Sequence, residues 1–166
     1  MPLEGEEMAI LGLDLPEAVE ELLERASMAY SRPEEAAPLL RQATRLAPEH
    51  PAVMIASYRF FFYRGMLAEA QDVAELCLSK AAWEIGRPGP WEEMRPDDAD
   101  FSDWGAVVPR FFLFSLKGWA YLRMRQGDLA SGRLAVEKLL ELDPLDRIGA
   151  GTLLGVLERG GRDDDG

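Results

Sequence analysis

Residues suited to catalysis are scarce in this sequence. Its 166 residues include one histidine, His50, and one cysteine, Cys77. There is no Cys/His pair at metal-ligand spacing, no phosphate-binding glycine loop and no GxSxG motif. His50 lies between two prolines in an expected turn, and Cys77 occupies an expected core position as a buried, inert thiol. We therefore predict no catalytic residue, no cofactor and no enzyme activity.

Four aspartates come nearest to a metal site: Asp97, Asp98, Asp100 and Asp103. Clustered carboxylate oxygens are the ligands that hard cations require. This run lacks the loop glycine and the distal bidentate glutamate of a calcium-binding hand. A solvated acidic loop is the favoured interpretation, and we predict no metal site.

Aromatic residues are more informative, because fourteen of the fifteen lie between Tyr58 and Tyr121. Residues 60–63 are Phe-Phe-Phe-Tyr, and on a helix, at about 100° per residue, they cannot all face one core. Two interpretations stay open. A later segment covers them with Trp83, Trp91, Phe101 and Trp104, or they form an open surface for a partner.

Charge excludes some partner classes. The formal net charge is −12, and the acidic excess lies in residues 1–24, 84–110 and 158–166. Such an excess repels phosphate backbones and anionic lipids, so we predict neither nucleic-acid binding nor membrane binding. No apolar run is long enough to span a bilayer, and the sequence shows no secretory leader. A cytoplasmic location is expected.

The elements that position these residues are predicted to be helices, since β-branched residues are few and no segment alternates apolar and polar residues. Apolar spacing from Val19 to Ala26 predicts a helix over about 15–30, capped by Asp14 and Glu17. A second helix follows, with a capping box at Ser31 and Glu34 and an end at Pro48.

Small residues then recur with a period of 34. Ala36 returns as Ala70, and Ala43 returns as Cys77; after a further 62 residues the two columns continue as Gly132 and Leu139. Small side chains at these positions let the two helices of a hairpin cross closely. The spacing predicts further hairpins over about 52–81 and 110–143, separated by an insert at 84–110.

The third hairpin contains three stretches that resemble a known repeat motif: Gly118 to Leu122, Gln126 to Leu129, and Glu137 to Pro144. With these residues the chain resembles the tetratricopeptide repeat family, in units of roughly 16–50, 51–82 and 111–146. It departs from the family at Gly132 and Leu139, where alanine is favoured. The resemblance implies an all-α fold: a short right-handed solenoid of three hairpins, forming a single domain over residues 1–159.

The resemblance also implies a concave groove, lined by the first helix of each unit, that receives a peptide or a partner's helix. The residues expected there are Arg59, Phe62, Tyr63, Trp119 and Arg123, with Glu20 and Glu24 contributed by the first helix. The chain contains no asparagine, so the carboxylate clamp of heat-shock-chaperone repeats is not supported.

Two segments lie outside the repeats. Residues 145–159 are expected to form a capping helix over the last hairpin, followed by a disordered acidic tail at 160–166. The insert contains four prolines that forbid a continuous helix, together with Trp91 and Trp104. We predict an ordered loop whose two tryptophans pack on the aromatic surface around Phe61 and Phe62, walling or occupying the groove.

A non-catalytic adaptor or assembly factor that binds another protein is the function these features favour. One alternative is a small acidic chaperone of the kind that type III secretion systems use for their translocators. Another is a structural or regulatory subunit of a larger complex. A second copy of the chain is also a candidate partner.

Overall fold

The structure is a computed structural model that describes residues 15–162. Every regular element in this range is helical, which confirms the predicted all-α class. The α-helices are α1 Glu17–Met28, α2 Pro33–Leu46, α3 Pro51–Tyr63, α4 Leu67–Ile85, α5 Val107–Arg125, α6 Leu129–Leu142 and α7 Thr152–Glu158. Across these described residues, none of the helices has the length and hydropathy of a membrane span.

The chain divides into two compact units between Val73 and Ala74, inside α4. We call residues 15–73 the N-terminal unit and residues 74–162 the C-terminal unit. The single domain expected over 1–159 stays a prediction. The expected cap at Asp14 and residues 163–166 of the expected tail lie outside the described residues.

In the N-terminal unit, α1 packs along α2, and α3 packs against both. The contacts are made by small side chains: Ala26, Ala36 and Ala43 have 0% exposure. Because alanine allows helix axes to approach closely, these positions fix the hairpin crossing. Larger buried side chains, among them Leu40 and Phe60, pack around them.

The start of α2 differs from its prediction. The capping box at Ser31 and Glu34 is wrong, because Arg32 precedes the helix and no side chain caps its first turn. Pro33 sets the start, since its fixed φ suits the first helical position and its missing N–H removes one donor that needs a cap. Arg32 Nε donates a hydrogen bond to Glu35 Oε2 at 2.8 Å across this first turn.

In the C-terminal unit, α5 and α6 form the hairpin predicted over 110–143. Its core contains large side chains with no exposed surface, including Phe112, Leu113, Leu116, Leu122 and Leu139. At Gly132 the helices come so close that an added Cβ would lie 2.5 Å from Met124 Cγ. This contact explains why glycine stands where the resembled family favours alanine.

The insert spans 86–106, since α4 continues to Ile85 and α5 begins at Val107. It contains two short 3-10 helices, Trp91–Glu93 and Pro96–Asp98. Met94 is 1% exposed, and its carbonyl accepts a hydrogen bond from the buried Lys138 Nζ at 2.8 Å. A buried apolar side chain and a buried hydrogen bond thus anchor the insert.

The C-terminal helix packs on α5 and α6 but is shorter than predicted. Asp146 and Gly149 have φ values of 53° and 80°, in the left-handed region that interrupts a helix. The Asp146 carboxylate also accepts hydrogen bonds from the backbone N–H groups of Ala150 and Gly151, at 2.6 and 3.0 Å. A turn therefore replaces the first half of the expected helix.

Candidate functional site

An apolar groove of about 540 Å³ lies between α2 and α3 in the N-terminal unit. Its deepest side chains are Leu40 and Phe60, which are 5% and 7% exposed. Ala37 and Phe61, both half-buried, extend the apolar lining. We call this surface the apolar groove.

Two arginines of α2, Arg41 and Arg45, line the same groove. They stand four residues apart, which places them on one helix face about one turn from each other. Both are exposed. Between them, Thr44 donates its hydroxyl hydrogen to the Leu40 carbonyl at 2.8 Å, so this hydroxyl is satisfied within α2. The apolar groove therefore has a positively charged edge.

Residues of α3 that were expected in the concave groove are not part of the apolar groove. Ser57, Phe60 and Phe61 line the apolar groove, while Arg59 and Phe62 do not. Glu20 and Glu24 are exposed on α1 and are not part of the lining of the apolar groove either. The concave groove predicted along the first helix of each unit stays a prediction.

Phe62 and Tyr63 belong to a neighbouring aromatic row. Phe62 stacks on Tyr58, with ring centroids 5.9 Å apart, and meets Tyr63 edge-on at 5.6 Å. Tyr63 is 60% exposed. The expectation that these consecutive rings cannot share one core is confirmed, since Phe60 is buried and Tyr63 is in water.

Arg59 is half-buried near Tyr30. Burial raises the pKa of the Tyr30 phenol, and the positive charge of Arg59 opposes that shift. The Tyr30 hydroxyl donates to the Ala56 carbonyl at 3.0 Å.

Sequence reasoning missed Arg41 and Arg45. The resemblance pointed to the first helix of each hairpin, and both arginines lie on a second helix. The signal that could have found them is their i, i+4 spacing beside Ala37 and Leu40, which puts two cations along an apolar stripe.

A second concavity, of about 220 Å³, lies in the C-terminal unit. Trp91 and Trp119 form its walls, with ring centroids 5.4 Å apart and an interplanar angle of 60°. Phe112, which has no exposed surface, lies beneath them. The exposed carboxylates of Glu75 and Glu92 stand at its edge. We call this surface the aromatic pocket.

The segment before Trp91 shapes this pocket. Gly89 has φ 131°, a backbone conformation that side chains rarely allow, and it lies between Pro88 and Pro90. The two prolines fix their own φ angles and limit the freedom of the turn. Gly89, Pro90 and Trp91 all line the pocket, so this turn places the Trp91 ring against Trp119.

Trp119 contacts charges of both signs. Its Nε1–H donates to Glu75 Oε1 at 3.3 Å, and the Arg123 guanidinium carbon lies 5.7 Å from its ring centroid. Arg123 is itself bound by Asp128, and its hydrogen bond is the main cause that lowers the pKa of Asp128 to about 2. The structure thus brings together three predicted site residues: Trp91, Trp119 and Arg123.

Trp104, the other predicted insert residue, lies apart from the pocket. Its ring contacts Phe114, with centroids 6.1 Å apart, and the Arg110 guanidinium carbon lies 5.6 Å from its centroid. The sequence had predicted Phe61 and Phe62 as partners of both insert tryptophans. In the structure their ring partners, Trp119 and Phe114, lie on α5 instead.

His50 and Cys77 are the two residues whose side chains have catalytic potential. His50 precedes α3, and its Nδ1 accepts a hydrogen bond from the Ala52 N–H at 3.1 Å. Cys77 is buried, as predicted, and burial raises the pKa of its thiol to about 12. Because a thiol with that pKa stays protonated at neutral pH, Cys77 is a poor nucleophile.

The aspartate run is used in turns of the insert. Asp98 Oδ2 accepts from the Arg95 N–H at 2.8 Å, and Asp100 Oδ1 accepts from the Ser102 hydroxyl at 2.7 Å. The Ser102 hydrogen bond lowers the pKa of Asp100. Within residues 15–162, no group of three or more His, Cys, Asp or Glu side chains is arranged to hold a metal ion.

Comparison with known proteins gives one informative relative. The chain is 34% identical over 121 residues to an "uncharacterized 19.8 kDa protein in nifW 5′ region" of Azotobacter chroococcum mcd 1. The match covers 72% of this chain and 67% of that protein. The chain therefore belongs to the same family as the Azotobacter protein. No family model and no solved structure matches the chain.

Proposed function

We propose that this protein is a non-catalytic protein–protein interaction module that binds an amphipathic segment of a partner in the apolar groove. The observation that carries the proposal is the combination of Leu40, Phe60 and Phe61 in one concavity with Arg41 and Arg45 along its edge. An apolar groove of this kind accepts the apolar face of a partner helix or peptide.

The arginines define the chemistry of that partner. Guanidinium groups bind carboxylates with two parallel hydrogen bonds, so acidic residues beside the partner's apolar face would meet Arg41 and Arg45. One helical turn separates the two arginines, which matches partner carboxylates at i and i+4. The proposed partner segment is therefore apolar on one face, with Asp or Glu along its margin.

We also propose that the helices form tetratricopeptide-like units, arranged as a right-handed solenoid with α7 as the cap. Helix order and lengths support this, as does the burial of the small-residue columns: Ala36, Ala70 and Ala43 have 0% exposure, and Cys77 has 3%. In such repeats each hairpin buries one face against its neighbour and leaves other faces for binding.

Site-specific photo-crosslinking in the native host tests the proposed function. The crosslinking amino acid p-benzoylphenylalanine would replace Thr44, which lines the apolar groove, or Gln42, an exposed residue of α2 outside that lining. We expect one defined partner peptide, apolar with acidic margins, to be captured at Thr44 and not at Gln42.

Charge reversal provides the matched control. Arg41→Glu with Arg45→Glu should strongly reduce the crosslink at Thr44, whereas Arg25→Glu with Arg64→Glu, at exposed sites outside the groove lining, should preserve it. Both double variants change the net charge equally. Equal capture at the two crosslinker positions, or capture that is undiminished by reversal of Arg41 and Arg45, would contradict the proposal.

A further inference from the structure

We propose that the aromatic pocket binds the cationic side chain of a lysine or arginine in a basic segment of a partner protein. This inference rests on the proposed protein-binding function and deepens it by naming a second contact of opposite charge. It concerns the C-terminal unit alone, so its residues are distinct from those of the apolar groove.

The walls of the pocket have the chemistry of a cation site. The negative face of an indole ring attracts ammonium and guanidinium groups, and tryptophan does so most strongly of the aromatic residues. Trp91 and Trp119 meet at 60°, which presents ring surfaces in two directions around one space of about 220 Å³. Leu78 and Pro90, which also line the pocket, supply apolar contacts for the methylene stem of a long cationic side chain.

The negative charge at the edge of the aromatic pocket also favours a cationic side chain as its ligand. Among residues 15–162, those that line the pocket include two carboxylates, Glu75 and Glu92, and no lysine or arginine. Trp119 Nε1 donates to Glu75 Oε1 at 3.3 Å, which holds that carboxylate beside the ring. An apolar cavity with acids at its edge is complementary to a basic side chain and repels an acidic one.

Arg123, which lies near the pocket, is not the cation that the pocket is proposed to bind. Arg123 lies over Trp119, at 5.7 Å from the ring centroid, but it is not part of the pocket lining. Its guanidinium is bound by Asp128 through Nε at 3.1 Å and through Nη2. Trp119 therefore already holds one cation of its own chain, while the pocket itself is lined only by acidic, apolar and neutral polar groups.

A titration of the full chain followed by NMR tests the inference. The probes are the capped tripeptide acetyl-Gly-Lys-Gly-amide and its counterpart with norleucine, which has a similar apolar chain without the ammonium group. The four indole N–H signals are assigned with single Trp→Phe variants. We expect the lysine peptide to shift the Trp91 and Trp119 signals saturably and to leave the signal of Trp83, which is 71% exposed, unchanged.

Removing the carboxylates supplies the control. Glu75→Gln with Glu92→Gln should weaken lysine-peptide binding about fivefold, the ratio that about 1 kcal/mol of cation attraction gives. Glu137→Gln with Glu158→Gln removes the same charge from exposed positions outside the pocket and should leave binding unchanged. Equal binding of the norleucine peptide, or no shift at Trp91 and Trp119, would overturn the inference.

Failure of this test is separable from failure of the proposed function. The peptide titration uses no natural partner and should be unaffected by Arg41→Glu with Arg45→Glu. A pocket that ignores the lysine peptide, beside a groove that still captures its partner at Thr44, would reject the cation site alone.

Discussion

The two units of this protein bury different kinds of side chain. In the N-terminal unit alanines such as Ala26 and Ala36 lie fully buried at the helix contacts, and the larger Leu40 and Phe60 border an open groove. In the C-terminal unit Phe112, Leu116 and Leu122 have no exposed surface. Large enclosed side chains contribute more burial per residue than alanines do. This difference predicts that truncating an enclosed leucine of the C-terminal unit costs more stability than truncating a leucine that borders the groove.

A matched pair of leucine truncations should give the largest difference between the units. Leu122→Ala leaves an enclosed cavity and should lower the free energy of unfolding by about 2–5 kcal/mol. Leu40→Ala should cost less, because the space it vacates joins the open apolar groove. Urea denaturation followed by circular dichroism measures both. Equal losses would remove the contrast drawn between the two units.

Lys138→Met tests how the C-terminal unit holds its insert. The change removes the hydrogen bond to the Met94 carbonyl and leaves a buried acceptor without that donor, at a cost of about 1–3 kcal/mol. The same substitution at Lys80 removes only a partly exposed i, i+4 contact with Glu84 and should cost about 0.3–0.5 kcal/mol. If the two variants unfold at the same urea concentration, the buried anchor does not stabilise the insert.

Gly132→Ala tests how closely α5 and α6 cross in the C-terminal unit. An added Cβ would contact Met124 Cγ at 2.5 Å, so we expect a loss of about 1–3 kcal/mol despite the better helix propensity of alanine. In a Met124→Ala background the same substitution should cost less, because the clashing atoms are gone. A stabilising Gly132→Ala would show that the α5–α6 crossing is looser than described.

The pair of Arg123 and Asp128 predicts a pH dependence confined to the C-terminal unit. Since the folded pKa of Asp128 is lowered to about 2, its stabilising effect is present above the ordinary aspartate pKa of about 3.9. That effect is lost as the pH falls from about 4 to 2. Asp128→Asn should therefore reduce the change of the urea midpoint of unfolding over this pH range. If the midpoint of the variant depends on pH as that of the wild type does, the ion pair does not stabilise the folded protein.

The sequence predicted where helices occur better than it predicted where they begin and end. Apolar spacing predicted α1 and α2, because periodic burial is a local property of each segment, and the 34-residue period of small residues predicted the hairpins that contain α3 to α6. The ends depended on single residues: Pro33 set the start of α2, and Asp146 with Gly149 delayed α7 until Thr152. A capping-box pattern competes with proline at the first helical position, and a periodic pattern does not show a turn inside it.

The candidate sites were only partly predictable. The small-residue period predicted the α5–α6 hairpin that the structure contains. Periodicity alone does not fix which way the residues at the end of α3 face, because one residue changes the facing by about 100°; Phe61 lines the apolar groove and Phe62 does not. The contact between Trp91 and Trp119 depends on the path of the turn at Gly89, which periodicity does not describe.

The most direct test of the central claim is a charge-swap titration by calorimetry. The partner peptide captured at Thr44 would be titrated into the wild-type chain and into the variant with Arg41→Glu and Arg45→Glu. We expect the variant to bind about tenfold more weakly, which corresponds to about 1.4 kcal/mol. A peptide whose marginal acids are replaced by lysine should reverse that preference. Equal affinity of both proteins for both peptides would contradict the account of the apolar groove as a binding site for acidic amphipathic segments.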